Sequence, residues 1–250
     1  TILKKWMFFL IALILIAFAG FREIGFDKDS LNYSTIINSI DFSDFLKLSI
    51  IQIEPSFYLI TFIANWLFGD PVRVSFLFYA LLGVSLKMIG IYRFSHIPFL
   101  SVFIYLCFYY PLHELTQIRV GVASAIFLLA VPDMVNRDFW SYLTKAMLAF
   151  FFHYSALIML ILYPLVNAKK NRSFWCIVPI FGLFFVFLNK LILNFIATNI
   201  YLLEFLPPIF SHKLLLHIDL YSNGIFTEMN IFNLYYFSLV AIFYFCLINI

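Results

Sequence analysis

The chain has 250 residues, of which 64% are hydrophobic and only 12% are charged, and its net charge is +3. An ordinary soluble domain is about 45–50% apolar and about 25% charged, so this composition excludes a soluble globular protein. The small net charge, without a basic cluster, also excludes a typical nucleic-acid-binding protein. We therefore expect a chain that folds in membrane lipid and has no nucleic acid partner.

Long continuous apolar runs predict membrane-spanning helices. Lipid requires that backbone polar groups bond internally, so only helices and closed barrels can span it. A barrel would show short segments in which apolar and polar residues alternate, and none is found. The sequence thus predicts an all-α integral membrane protein, a polytopic bundle of about eight transmembrane helices that forms a single domain over residues 1–250. The predicted spans are about 6–19, 55–68, 72–92, 98–112, 120–135, 144–165, 174–196 and 231–250.

The orientation follows from the lysines at the start of the chain. Lys4 and Lys5 precede the first span, and the excess of Lys and Arg in cytoplasmic loops places its beginning in the cytoplasm. The polar stretch 21–54 is then an external loop, and 199–230 is predicted to be a second external loop on the same side. Lys87, within a span, is expected to extend its amine to the membrane surface.

Arg22 lies just beyond the first span and is followed by acidic residues. One interpretation is an interfacial arginine whose side chain reaches lipid headgroups. The other is a preorganised polar site formed with Asp27, Asp29 and Tyr33. The planar guanidinium can make paired hydrogen bonds to phosphate, so a phosphate-bearing ligand would suit this site.

Glu54 and Pro55 open the second predicted span. Proline is tolerated in the first helical turn, and an acidic residue before it favours the positive end of the helix dipole. These two effects are sufficient to explain the pair structurally, and a functional role for Glu54 stays open.

Arg119 lies between two apolar runs that are too close together for a long loop. It is either a loop arginine paired with Glu114 or a charge that faces a polar cavity, with Gln117 two residues before it. Small residues follow, beginning with Gly121, and small residues allow a neighbouring helix or a ligand to approach closely.

His153 falls in the middle of the apolar run 144–165. It either donates a hydrogen bond to a backbone carbonyl as a neutral side chain, or acts as a proton or hydrogen-bond donor to a substrate. Later in the chain, His217 and Tyr221 are four residues apart and would share one face of a helix. That face is either a binding surface or the solvated side of a surface helix.

Signatures of metal and cofactor chemistry are missing from the sequence. It contains no Gly-x-Ser-x-Gly, no His-Glu-x-x-His and no glycine-rich phosphate loop, so we expect no metal and no cofactor. Three cysteines lie inside apolar runs without metal-ligand spacing and are interpreted as core residues: Cys107, Cys176 and Cys246.

Over residues 15–160 the pattern resembles the EpsG-type membrane proteins of the Wzy class, which are bacterial polymerases of surface polysaccharide. The elements that carry the resemblance are Gly20-Phe21-Arg22, Asp29 with Tyr33, Glu54-Pro55-Ser56-Phe57, Ile118-Arg119-Val120-Gly121 and Ala149 to Ala156 around His153. Val120 stands where the family usually has glutamine, and a further N-terminal span is usual in the family. Because the chain also begins with Thr1 and ends in an apolar run at Ile250, we expect it to be part of a longer protein.

The resemblance implies a multi-pass protein of the bacterial inner membrane that joins oligosaccharide repeat units carried on undecaprenyl diphosphate, at the external face. It implies a lipid-linked oligosaccharide as substrate, membrane lipid as surroundings and other polysaccharide assembly proteins as further partners. The implied catalytic residues are Asp29, Arg119 and His153, with Asp27 as the second choice for the base. The implied substrate-binding residues are Arg22, Asp27, Tyr33, Glu54, Gln117, His217 and Tyr221.

Three other functions fit the same residues. A transporter or flippase of lipid-linked sugars could bind phosphate through the same arginines, although such proteins commonly show internal repeats and none is visible here. A membrane acyltransferase could use His153 as a base, and it would need a second polar partner beside that histidine. A scaffold for polysaccharide assembly would carry out no chemistry.

Overall fold

The computed structural model of the chain describes residues 2–40 and 53–165, together with single positions scattered between 184 and 218. Contacts between Cα atoms divide the chain into two compact units, Thr1–Val166 and Asn167–Ile250. The first unit contains all the structure described below. The predicted span 231–250 and most of the predicted span 174–196 and of the predicted loop 199–230 lie outside the described residues, so the single domain over residues 1–250 stays a prediction.

The described part of the first unit is helical throughout. Aspartates cap α2, α4 and α7, because the side chains of Asp27, Asp70 and Asp138 each accept a hydrogen bond from a first-turn N–H. Proline occupies the first turn of α3, α4 and α5, where its missing N–H costs nothing. In chain order the helices are α1 Ile2–Gly20, α2 Lys28–Ser39, α3 Pro55–Phe68, α4 Pro71–Phe94, α5 Pro98–Ile104 with a π-helical continuation Tyr105–Thr116, α6 Ile118–Asn136, α7 Phe139–Phe152, a 3₁₀ turn Tyr154–Leu157 and α8 Ile158–Leu165.

Within the described residues, three helices are long and apolar enough to cross a membrane: α1, α4 and α6. α3 is a shorter apolar helix with the predicted bounds 55–68. The outward face of α1 carries large apolar side chains that no packing within the described residues covers, among them Trp6, Phe9 and Phe18. Lipid is the solvent that accepts such a surface. The all-helical class is therefore confirmed for this part, with three helices that could span a membrane, and the total of about eight transmembrane helices stays a prediction.

The predicted span 144–165 is wrong as a single helix. α7 ends at Phe152, and His153 has an extended backbone with φ −156° and ψ 125°. The chain then reverses, so that the Tyr142 hydroxyl in α7 donates to the Met159 carbonyl in α8 at 2.6 Å. The reversal could not be predicted from the sequence, because both arms are apolar and neither glycine nor proline marks the bend.

The helices bring several of their ends together around the beginning of α4. Gly20 packs so closely on Leu77 that an added Cβ would lie 2.7 Å from the leucine Cδ1. Ser56, in the first turn of α3, lies 3.2 Å from the Tyr79 hydroxyl, and the Tyr33 and Phe76 rings are 6.2 Å apart. We call this region, around residues 76–79 of α4, the Gly20 end of the bundle.

The relative directions of α1, α4 and α6 follow from side-chain contacts between these helices. Phe8, early in α1, packs on Tyr92, late in α4, with ring centroids 5.5 Å apart, so α1 and α4 are antiparallel. The Lys87 amine of α4 donates to the Gly121 carbonyl near the start of α6. Further along both helices, a Cβ on Gly90 would lie 2.7 Å from Cδ2 of Leu128, so α4 and α6 run parallel. The first turn of α6 is thereby placed on the side of the Gly20 end.

Candidate functional site

Two side chains from distant parts of the chain, Arg119 and His153, meet at Glu54. This glutamate is the last residue before α3 and is only 4% exposed. Its Oε2 atom forms an ion pair with Nη1 of Arg119, in the first turn of α6. Its Oε1 atom lies 2.8 Å from Nδ1 of His153, at the end of α7. We call these three residues the Glu54 centre.

The electrostatics of the Glu54 centre keep the carboxylate ionised. Burial alone raises the pKa of Glu54, but His153 and the Arg119 guanidinium more than offset this effect and hold the pKa below its ordinary value. α3 and α6 both begin at this point, and the positive ends of their dipoles favour negative charge. An anionic ligand that enters here would therefore meet a positive environment that Glu54 only partly neutralises.

Aromatic rings hold the Arg119 guanidinium in place. Its central carbon lies 5.3 Å from the centroid of the Tyr33 ring and 5.5 Å from that of Phe57. The Nε atom of Arg119 is buried and has no hydrogen-bond partner among the described residues. An unpaired buried donor costs free energy, so a ligand oxygen that satisfied it would bind more tightly.

An open cavity of about 410 Å³ lies beside Arg119 and is lined in part by Asp29 and Tyr33. Asp29 lies in the first turn of α2. Burial and the nearby Asp27 carboxylate raise the pKa of Asp29 above its ordinary value, and Arg119 offsets part of this rise. The cavity therefore combines a carboxylate with increased proton affinity and a guanidinium.

Arg22 and Asp27 form a separate arrangement. Arg22 lies with its Nε 3.3 Å from Asp27 Oδ2, donates from Nη1 to the Ala19 carbonyl at 2.7 Å, and stacks 4.3 Å from the centroid of the Phe76 ring. Asp27 also accepts the hydrogen bond that caps α2. Both side chains thus connect α1 to α2, and Arg22 lines a different cavity, of about 400 Å³, together with Arg73. Asp29 lines the cavity beside Arg119, whereas Asp27 is engaged by Arg22 and by the cap of α2.

The other predicted site residues are placed as follows. Gln117 is exposed at the junction between the π-helical segment and α6, where its backbone N–H donates to the Leu112 carbonyl at 2.7 Å. His217 and Tyr221 lie outside the described residues. The structure therefore brings Asp29, Tyr33 and Arg119 to one cavity, and it pairs Arg119 with Glu54, which His153 also contacts. Arg22, Asp27 and Gln117 do not line that cavity.

Two expectations about charge partners are wrong. Glu114 does not pair with Arg119, because its carboxylate is buried against the Lys87 amine. Lys87 does not extend to the membrane surface, since it is only 6% exposed and bonds within the bundle. The pairing of Glu54 with Arg119 was missed, although a glutamate that opens an apolar helix was a visible signal of a carboxylate needing a partner.

Comparison with known proteins yields one match. The model of the EpsG family matches residues 5–250 of the chain, which is nearly its whole length. No curated protein and no solved structure matches the chain. The resemblance inferred from the motifs in residues 15–160 is confirmed.

Proposed function

Because the chain belongs to the EpsG family, we propose that it is a membrane polymerase that joins lipid-linked oligosaccharide repeat units into a surface polysaccharide. The repeat units would be carried on undecaprenyl diphosphate. The observation that carries the proposal is the convergence of Glu54, Arg119 and His153 beside a cavity that also contains Asp29. Ionisable side chains in membrane segments are costly, and a group of them around an open cavity is typical of a functional site.

The reaction would take place at the external face of the bacterial inner membrane. Lys4 and Lys5 favour a cytoplasmic start for α1, which puts Gly20 at the external side. The Glu54 centre lies at the Gly20 end of the bundle, since Arg119 contacts Phe57 and Tyr33 there. A lipid-linked substrate could then lay its apolar tail among the helices and present its diphosphate at the centre.

In the proposed reaction, a hydroxyl oxygen of the acceptor sugar attacks the anomeric carbon of the donor sugar. A new glycosidic bond forms while the bond between that carbon and the diphosphate oxygen breaks, and undecaprenyl diphosphate leaves with both bonding electrons. Negative charge grows on the leaving group, and Arg119 is placed to stabilise it. The hydroxyl proton passes to Asp29, whose raised pKa improves it as a base.

His153 would hold one of the substrates. Glu54 contacts its Nδ1 atom, which orients the ring and leaves Nε2 for a sugar hydroxyl or a phosphate oxygen. Arg22 is kept in this proposal as a further contact of the diphosphate or its lipid carrier, through the cavity that it lines with Arg73.

The contact between Glu54 and His153 also supplies the second polar partner that a membrane acyltransferase would need beside this histidine. Reconstitution of the purified protein in liposomes with a lipid-linked repeat unit separates the alternatives. We expect a ladder of longer glycans on the lipid carrier and stoichiometric release of undecaprenyl diphosphate. An acylated product would identify an acyltransferase instead, substrate that crosses the bilayer unchanged would identify a transporter, and no change in substrate or location would overturn all three activities.

The raised pKa of Asp29 predicts how the polymerase activity depends on pH. The base must be deprotonated, so activity falls as the pH is lowered through the pKa of Asp29, and this acidic limb lies above the ordinary range for aspartate because the pKa is raised. Asp29→Asn should lower the rate by about a hundredfold or more. The residual activity should lack the acidic limb in a rate-versus-pH measurement.

A matched control for this prediction is Asp138→Asn, which changes an exposed acidic residue at the start of α7 whose capping role asparagine can retain. It should leave the pH profile unchanged. An Asp29→Asn protein with the wild-type rate and profile would exclude Asp29 as the base and leave Asp27 and His153 as candidates.

A further inference from the structure

A second ion pair is enclosed within the bundle, away from the cavity that contains Asp29. Lys87 of α4 pairs with Glu114 of the π-helical segment, and the two residues are 6% and 1% exposed. The Tyr105 hydroxyl donates to Glu114 Oε1 at 3.0 Å, and the Lys87 amine also donates to the Gly121 carbonyl at 3.0 Å. We call Lys87, Glu114 and Tyr105 the Lys87 cluster.

Two glycines make room for this carboxylate. A Cβ on Gly83 of α4 would collide with Glu114 Oε2. A Cβ on Gly121 of α6 would lie 2.6 Å from the His113 carbonyl oxygen and 3.2 Å from Glu114 Oε2. α4 and α6 therefore both approach this part of the π-helical segment closely, and a side chain at either glycine would push the helices away from it.

The Lys87 cluster is connected through the backbone to Arg119. Lys87 holds the carbonyl of Gly121, two residues after Arg119. The Gly121 N–H donates to the Gln117 carbonyl at 2.9 Å, and the Gln117 N–H donates to the Leu112 carbonyl at 2.7 Å. The first turn of α6 is thus fixed on both sides of Arg119, by α4 through Lys87 and by the π-helical segment through Gln117.

Stability alone does not account for these charges. The desolvation of two buried charges often exceeds their mutual attraction, and an apolar pair of similar volume would stabilise a fold at least as well. π-helical turns are rare and frequently occur at functional sites. The pair of Lys87 and Glu114 joins the π-helical segment to α4 and α6, and it therefore fixes the relative positions of these three elements.

We propose that Lys87 and Glu114 are positioning residues that set the first turn of α6 so that Arg119 faces Glu54. They do not touch the proposed substrate, and they act through Arg119. The geometric part of this proposal is independent of the reaction, whereas its effect on polymerisation rests on the proposed function.

The test measures where residue 119 lies without the need for activity. Cysteines are placed at positions 54 and 119 in a full-length chain whose Cys107, Cys176 and Cys246 are replaced by serine, and a short bifunctional thiol reagent cross-links them in membranes. Addition of Lys87→Met and Glu114→Gln removes both charges while nearly preserving shape, and the yield of cross-link should fall severalfold at equal protein amount. An unchanged yield would overturn the proposal.

The matched control removes an ion pair that α6 itself makes, away from its first turn. Asp133, near the far end of α6, pairs with Lys145 of α7. Asp133→Asn with Lys145→Met should leave the cross-link between positions 54 and 119 unchanged. An equal fall in yield in the control would mean that the bundle loosens generally, and this result would also overturn the proposal.

Tyr105→Phe provides a milder variant if the double replacement does not accumulate. It removes only the hydrogen bond to Glu114 and keeps both charges. A smaller but measurable fall in yield supports the proposal, and an unchanged yield overturns it.

In the native-cysteine protein, Lys87→Met with Glu114→Gln should lower polymerisation by about a hundredfold, as expected for the displacement of a reacting group by about 1 Å. The cross-link yield could fall in the double variant while no protein, including the wild type, shows polymerase activity. That result would support the positioning role of Lys87 and Glu114 and reject the proposed function.

Discussion

Replacement of Arg119 by alanine is expected to abolish long polysaccharide chains while the protein still accumulates in the membrane. Removal of one preorganised donor to a developing negative charge typically costs about a hundredfold to a thousandfold in rate. Arg119 connects the Glu54 centre to the cavity containing Asp29, because it pairs with Glu54 and lines that cavity. Gel analysis of polymer length, with immunoblotting of the protein, measures the effect in cells.

Arg119→Ala leaves Glu54 buried without its ion pair, so Arg119→Lys accompanies it. Lysine keeps the charge but lacks the planar fork that can bind Glu54 and a phosphate together, and we expect short chains only. Arg93→Ala serves as the control, since Arg93 is exposed at the end of α4 opposite the Gly20 end. Normal long chains from a well-expressed Arg119→Ala protein would remove Arg119 from the mechanism.

Glu54→Gln is expected to impair both stability and activity. The change preserves shape but removes the charge that pairs with Arg119 and contacts His153. Loss of one partner from a buried ion pair costs about 3–5 kcal/mol, because the remaining charge is left uncompensated. Thermal unfolding in detergent should therefore begin at a lower temperature, and polymer length should decrease because Arg119 and His153 both lose their orienting contact.

The variant Glu54→Asp distinguishes the effect of the negative charge from the effect of its position. It keeps the negative charge on a side chain shorter by one methylene, so we expect stability nearer to the wild type with reduced activity. Asp138→Asn, at the exposed N-cap of α7 where asparagine can retain the capping role, is the control and should match the wild type in both measurements. Wild-type unfolding and polymer length in Glu54→Gln would show that the Glu54 centre contributes neither to the fold nor to the reaction.

Several local features followed directly from the sequence. Apolar composition required lipid and therefore helices, and proline and glycine limited α3 to residues 55–68. The family could be recognised from short motifs because they include the ionisable residues that a membrane protein retains only for a reason. Arg119, His153 and Asp29 were identified in this way before any partner was visible.

Charge partners could not be read from the sequence. Arg119 pairs with Glu54, 65 residues away, and not with the nearby Glu114, which pairs with Lys87 at a separation of 27 residues. Each of these charges could be assigned a local explanation, such as a helix dipole or a lipid surface, so no local pattern distinguished the true partner.

The sequence by itself determined the membrane class, the beginnings of α3, α4 and α5 and the residues whose charge needed compensation, because each of these depends on composition or on neighbours within one helical turn. The tertiary structure alone decided which charges meet, that Asp29 and not Asp27 is free to line the cavity, and that the chain reverses at His153. The desolvation cost of a buried charge requires only that the charge has a partner. The packing of α3, α4, α6 and α7 decides which distant residue that partner is.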